Sequence, residues 1–172
     1  MHSLTADVNI QSPGWQAALP QLEALVALII EEINTLHGVR SGVRSGEFSI
    51  IFTDDAKIRV LNKTYRGENK PTNVLSFAFM DNDEFICPND DPYIYGDVFV
   101  ARETMMREAT GYSKSLYDHT AHLITHGVLH LLGFDHVTAE DARKMEDLER
   151  GILHGIGIAD PYGEEIRKAF DA

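Results

Sequence analysis

The chain has 172 residues, enough for one compact domain with a core of its own. Its 15 basic and 27 acidic residues give a formal net charge of −12, which argues against a protein that binds nucleic acid over its whole surface. Cys87 is the single cysteine, so an internal disulfide is excluded and a reducing compartment is compatible.

The sequence predicts a cytoplasmic protein with no membrane anchor. Residues 1–7 lack the basic and apolar regions of a signal peptide. The longest apolar run, residues 25–30, is too short to cross a bilayer.

In the first half of the chain, the hydrophobic pattern predicts strands and helices in alternation. Polar and apolar residues alternate over residues 7–11, as in a half-buried strand, and residues 48–52 predict a central strand. Between them, apolar residues recur at helical spacing across residues 20–38. Thr53 or Asp54 is expected to cap a second helix, which carries Ile58, Leu61 and Tyr65 on one face.

The second half begins with strands and ends with helices. Residues 74–80 and 97–100 predict two strands separated by a loop rich in Asp, Asn and Pro, and residues 101–110 predict a short helix that Gly111 ends. Two longer helices follow, each opened by a pair typical of a capping box. These pairs are Ser115 with Asp118 and Thr138 with Asp141.

This order of elements predicts an α+β fold: a small mixed four-stranded sheet packed with about five helices, in a single domain over residues 1–172. The two β-α-β connections favour parallel neighbours, and the short β-β link favours an antiparallel pair.

Two histidines in the penultimate helix and a third just after it predict a metal site. His126 and His130 project from one face of a helix, and Gly133 can take the positive φ that ends the helix and returns the chain toward His136. Three neutral imidazoles with an open fourth position are typical of a catalytic zinc site. We therefore expect a zincin-like site with one zinc ion per chain, although histidine sites also accept nickel, copper or cobalt.

The spacing matches the metzincin signature H-E-x-x-H-x-x-G-x-x-H with one departure. Gly127 stands where those peptidases carry the glutamate that activates water. The ligand set is retained, but peptide hydrolysis loses its general base unless another carboxylate, such as Asp97 or Asp135, replaces it.

Two neighbours could support the ligands from outside the metal shell. His122 lies one turn before His126 on the same helical stripe, where it either orients a ligand or packs against the site. Asp135 either orients an imidazole or serves the chain reversal as an ordinary turn residue.

The basic residues concentrate in one segment although the chain as a whole is acidic. Residues 57–70 contain five basic side chains against one acidic residue, Glu68. Among them, Arg59, Lys63 and Lys70 are candidate phosphate contacts, with the solvated face of an amphipathic helix as the alternative.

Two motifs together resemble the YbeY family of bacterial endoribonucleases. Residues 126–136 read HGVLHLLGFDH, and residues 61–77 contain LNKTYRG followed by KPTNVLSF. A shorter piece, residues 96–98, is similar to the family's Gly-Asp strand opening. The resemblance extends over residues 48–162.

The resemblance implies a metal-dependent, single-strand-specific endoribonuclease that acts on small-subunit ribosomal RNA during maturation and ribosome quality control, with the ribosome or its proteins as partners. It also implies a functional role for Arg66, whose guanidinium could stabilise charge on a phosphoryl oxygen. A metallopeptidase-type hydrolase and a non-catalytic ribosome-assembly factor remain the alternatives. The sequence leaves the oligomeric state open.

Overall fold

A four-stranded sheet organises the residues that the structure, a computed structural model, describes: 3–36, 43–79 and 93–163. Its strands are β1 (Leu4–Ile10), β2 (Gly46–Thr53), β3 (Val74–Ala78) and β4 (Tyr93–Ala101). The described helices are α1 (Gly14–Ala18), α2 (Leu22–Thr35), α3 (Asp55–Arg66), α4 (Arg102–Gly111), α5 (Leu116–Leu131) and α6 (Ala139–Gly155). The predicted α+β class with a four-stranded mixed sheet is confirmed, and the short α1 adds a sixth helix. The turn at Gly38, the end of the third strand at Met80 and the acidic loop at 81–91 lie outside the described residues.

The strand order is β1-β2-β4-β3. The pairs β1–β2 and β2–β4 are parallel, and β3–β4 is antiparallel, as its short link predicted. The expectation that β2 and β3 would be parallel neighbours is wrong, because β4 lies between them and β3 runs in the opposite direction. The nine-residue β4 carries the longer apolar run and pairs along both edges, whereas the five-residue β3 takes the edge position.

Side-chain caps open three of the helices where the sequence predicted them. Each cap oxygen accepts a hydrogen bond from the backbone amide three residues later, which satisfies one of the free donors of the first turn. The caps are Asp54 on the amide of Lys57 at 2.9 Å, Ser115 on Asp118 at 3.0 Å and Thr138 on Asp141 at 3.1 Å.

Helices cover both faces of the sheet. On one face, α2 and α5 enclose the larger core, to which β4 contributes the fully buried Val98 and Val100. On the other face, Ile58 of α3 packs in a smaller cluster with Leu75 and Phe99. The alternation of side chains along each strand therefore decides which residues of β3 and β4 can face the histidine helix α5.

No helix in the described ranges is both long enough and apolar enough to cross a membrane.

Helix α5 lies unusually close to the sheet at Gly127. A Cβ atom built on this glycine would lie 2.8 Å from Val98 Cγ1 and 3.0 Å from Ser76 Oγ. The Ser76 hydroxyl also donates a hydrogen bond to the Gly127 carbonyl at 3.2 Å. Because Val98 is fully buried and cannot move away, the helix can reach this depth only with a glycine here.

We expect Gly127→Ala to lower the free energy of unfolding by about 1–3 kcal/mol, because the added methyl group overpacks the helix–sheet contact. Urea unfolding would measure this change. Gly151→Ala is the matched control, since Gly151 lies within α6 and nothing lies within 4 Å of the Cβ position there. That exchange should stabilise the protein by about 0.5–1 kcal/mol. A stabilised Gly127→Ala variant would contradict the packing argument.

Candidate metal centre and active site

The three predicted histidines come together at the end of α5. One ring nitrogen from each of His126, His130 and His136 lies within 4.8 Å of the others. His126 and His130 face the same side of the helix one turn apart, and their Nε2 atoms are 3.0 Å apart. The spacing in the sequence thus correctly predicted which side chains meet.

The hydrogen bonds at Nδ1 determine which nitrogens are free to bind a cation. His130 Nδ1 lies 3.0 Å from the carbonyl oxygen of Phe134, which can only accept, so this nitrogen carries the proton. His126 Nδ1 lies 2.6 Å from Glu149 Oε1 and donates to that carboxylate. In the neutral imidazoles, both Nε2 atoms therefore present bare lone pairs to each other, an arrangement that a cation between them stabilises.

A turn after α5 delivers the third histidine. The amide of Phe134 bonds to the carbonyl of Leu129, and the amide of Gly133 bonds to that of His130, which is the Schellman arrangement. Gly133 has φ +97°, the left-handed value that glycine adopts without strain. This turn reverses the chain toward the exposed His136 and also supplies the Phe134 carbonyl that orients His130.

Sequence reasoning missed the carboxylate that supports the site. Glu149 of α6 is fully buried and touches His126, His122 at 3.1 Å and the hydroxyl of Tyr162. Burial alone would raise the pKa of Glu149, but the hydrogen bonds from His122 and His126 lower it to about 2. His122, predicted to lie beside the site, thus reaches the metal ligands only through this carboxylate. The available signal was a glutamate at helical spacing between the buried Met145 and Ile152.

Burial also acts on the histidines themselves. It lowers the pKa of His130, and the neighbouring His126 and His136 lower it further. Burial likewise lowers the pKa of His122 despite the hydrogen bond to Glu149. Both shifts favour the neutral imidazole, which is the form that metal ligation requires of His130.

A cleft of about 320 Å³ connects the histidines to Arg66 and to strand β3. Arg66 is the last residue of α3, and Gly67 ends the helix with φ +72°. Its guanidinium lines the cleft and donates to the carbonyl of Ser76 at 3.3 Å. The structure therefore brings the predicted charge-stabilising arginine to the same cleft as the three histidines.

The other predicted basic residues lie on the surface outside this cleft. Arg59 Nε donates to Asn69 at 2.9 Å, and Lys70 forms an exposed ion pair with Glu68 at 2.9 Å. Lys63 is exposed on α3. None of these three basic residues lines the cleft, so any contact they make with RNA would lie beyond it.

The two other acidic candidates do not approach the ligands. Asp135 accepts a hydrogen bond from the amide of Val137 at 3.2 Å, which is ordinary turn chemistry. Asp97 alternates along β4 with Val98, which faces α5, and so points to the opposite side of the sheet. Burial there raises the pKa of Asp97. Neither carboxylate takes the place of the glutamate that peptidases carry at position 127.

The donor set fits a divalent metal ion. A tetrahedral ion bound at about 2.0–2.1 Å would hold two nitrogens about 3.3 Å apart, close to the 3.0 Å between the two Nε2 atoms. His136 is exposed, so a further ligand can reach the ion from the solvent side.

Comparison with known proteins identifies the family to which these features belong. The family model described as Endoribonuclease YbeY matches residues 8–157. Among curated relatives, the Endoribonuclease YbeY of Rhodospirillum rubrum is 46% identical over 87% of this chain and 77% of its own length. That of Paramagnetospirillum magneticum is 43% identical over 92% of this chain and 95% of its own. That of Allorhizobium ampelinum is 39% identical over 96% of this chain and 99% of its own length.

A solved structure agrees on the fold. The solution structure of TM1509 from Thermotoga maritima superposes with a TM-score of 0.54 at 20% identity, covering 95% of this chain and all of that one. Because the family model spans most of the chain and the relatives match nearly end to end, the chain belongs to the YbeY endoribonuclease family.

Proposed function

We propose that this protein is a metal-dependent endoribonuclease, a hydrolase that cuts single-stranded RNA. Its substrate is small-subunit ribosomal RNA, during ribosome maturation and quality control. The observation that carries the proposal is one cleft shared by two bare histidine nitrogens and an arginine guanidinium. The activity in the names of the relatives supports RNA as the substrate.

His126, His130 and His136 would hold one metal ion, and zinc is our first choice, with nickel as the main alternative. When bound, such an ion acts as a Lewis acid that activates water or a hydroxyl group and polarises a phosphoryl oxygen. The contacts at Nδ1 orient the imidazoles of His126 and His130 so that their Nε2 atoms face each other.

Arg66 would stabilise the charge that builds on the phosphoryl oxygens. A guanidinium has five donors, and its contact with Ser76 uses one of them, so further donors remain for a bidentate contact to phosphate. The fixed end of α3 and the contact with β3 hold this charge in place before substrate binds.

Arg59, Lys63 and Lys70 would then contact the RNA backbone outside the cleft. All three side chains are exposed on or just after α3, the helix that ends at Arg66. Their location would give a basic track toward the cleft on a protein whose net charge is −12. We further propose the ribosome or its proteins as partners and the cytoplasm as the place of action.

The structure argues against the metallopeptidase alternative at two points. Gly127 has no room for a side chain, so the water-activating glutamate cannot be accommodated there.

The second point is that an extended peptide cannot pair with the edge strand β3. The backbone amide of Ala101 donates to the Asn73 carbonyl, so alternate residues counted from Asn73 bond to β4. Ser76 lies between these residues, so its carbonyl faces the free edge of β3, where it accepts a hydrogen bond from Arg66. An extended peptide pairing with β3 would need that carbonyl.

Metal analysis of the purified protein should find about one divalent ion per chain. His126→Ala, His130→Ala and His136→Ala should each lose most of it, because each removes one of three ligands. Mass spectrometric metal analysis after dialysis would measure the content. His154→Ala is the control, since His154 is exposed at the end of α6. Equal metal loss in that variant would contradict the assignment.

Cleavage of a single-stranded RNA should require the metal. We expect a chelator to abolish cutting, added zinc to restore it and His130→Ala to abolish it permanently, while a fully paired RNA stays intact. Gel analysis of end-labelled RNA would show this. Casein hydrolysis would instead support a metallopeptidase. Intact RNA together with tight ribosome binding would support a non-catalytic assembly factor, and either result would overturn the proposal.

Arg66→Ala and Arg66→Lys should both slow single-turnover RNA cleavage by about two to three orders of magnitude and leave the metal content unchanged. Lysine keeps the positive charge, but its ammonium group cannot form the two parallel hydrogen bonds that a guanidinium makes to a phosphate. Arg59→Ala is the matched control from the same helix. It should mainly weaken binding and flatten its salt dependence. Wild-type turnover in Arg66→Lys would leave Arg66 without a catalytic role.

A further inference from the structure

Glu149 is the one acidic side chain that is fully buried among the residues the structure describes. A buried carboxylate is costly unless hydrogen-bond donors surround it. Glu149 has three such donors, drawn from two segments. They are His126 Nδ1 at 2.6 Å, His122 Nε2 at 3.1 Å and the hydroxyl of Tyr162. This concentration of donors calls for an explanation beyond the packing of α6 against α5.

The direction of the bond to His126 supplies that explanation. An ionised carboxylate only accepts hydrogen bonds, so His126 Nδ1 must carry a proton, and in the neutral imidazole Nε2 is then bare. Nε2 is the atom that faces His130 across 3.0 Å. A neutral group in place of Glu149 that could donate to Nδ1 would allow the opposite tautomer, in which Nε2 carries a proton and cannot bind metal.

We propose that Glu149 is a positioning residue of the metal centre: it locks His126 in the tautomer that binds metal and strengthens that nitrogen as a ligand through its negative charge. This inference rests on the metal site of the proposed function. It assigns α6, the last described helix, a part in the site although α6 contributes no ligand.

The turn after α6 protects this arrangement from water. Asp160 accepts from the amide of Tyr162 at 2.8 Å and from Arg150 Nε at 3.1 Å, which fixes Tyr162 over the carboxylate. The Tyr162 ring also packs edge-on against His122, with the ring centroids 5.2 Å apart. The hydroxyl is held as a donor, because burial and then the hydrogen bond to Glu149 raise the pKa of Tyr162. Loss of this hydroxyl leaves the bond from Glu149 to His126 in place.

The chain contains a matched control on the same helix. His119 of α5 lies two turns before His126, and its Nε2 is 2.7 Å from Glu108 Oε2. This too is a histidine of α5 paired with a glutamate, but His119 is not among the clustered ligands. Glu108→Gln therefore tests what loss of such a charge does when no metal ligand is involved.

The first readout is the tautomer of His126 in the metal-free full-length protein, measured by long-range proton–nitrogen NMR of the imidazoles. We expect Nδ1 protonated and Nε2 bare in the wild type, and a mixture of tautomers in Glu149→Gln, since the new amide can donate as well as accept. A wild-type His126 protonated at Nε2 would overturn the proposal even if the variant does not fold.

The second readout is zinc affinity, measured by competition with a chromophoric chelator. Glu149→Gln should weaken zinc binding by about 10 to 100-fold. Glu108→Gln should stay within about twofold of the wild type, and Tyr162→Phe should lose less than about tenfold and keep the tautomer of His126. Wild-type affinity in Glu149→Gln, or equal losses in Glu149→Gln and either of the other two variants, would overturn the proposal. RNA cleavage is not measured here, so a protein that binds zinc as expected but cuts no RNA would overturn only the proposed function.

Discussion

The close contact between α5 and the sheet at Gly127 is the constraint on which the rest of the site depends. Glycine lets the helix lie against Val98 and Ser76, and this depth brings His126 and His130 to the cleft that β3 shares with Arg66. A side chain here would push the helix away from β3 and widen the cleft between the histidines and the guanidinium. The same contact removes the position from which zinc peptidases present their glutamate. Gly127 therefore sets both the distance between α5 and the sheet and the absence of the glutamate that peptide hydrolysis requires.

The three histidines are held to very different degrees. His126 is tied to a buried carboxylate on α6, His130 is tied to the carbonyl of a turn within its own segment, and His136 is exposed. The two held imidazoles create opposed lone pairs, which are unfavourable until a cation lies between them. The exposed imidazole lies on the solvent side, where an ion and a substrate can enter. This gradient from rigid to open suits a catalytic centre better than a closed structural one.

Sequence reasoning succeeded where the signal was local. Ser115, Thr138 and Asp54 cap helices three residues before the amides they bind, and such spacing can be read directly. Gly133 takes the predicted left-handed conformation for the same reason. Two of the three histidines share a helix face, and the third follows directly after the chain reversal at Gly133. The strand order could not be read in this way, because the interior position of β4 depends on competition between strands for pairing partners far apart in sequence.

Glu149 shows why long-range support of a site is hard to predict. It lies 23 residues after His126 in a strongly acidic stretch, where a glutamate ordinarily indicates a solvated face. Helical spacing from Met145 and Ile152 places the apolar Leu148 beside the core, yet Leu148 is only half-buried and the neighbouring Glu149 is buried. A charge in an apolar stripe is tolerated only if donors on another element meet it, and nothing in α6 itself reveals those donors. His122, an unexplained polar residue on the facing stripe of α5, is the complementary signal. An acid and a histidine that each interrupt an apolar stripe are best interpreted together, as two halves of one buried pair.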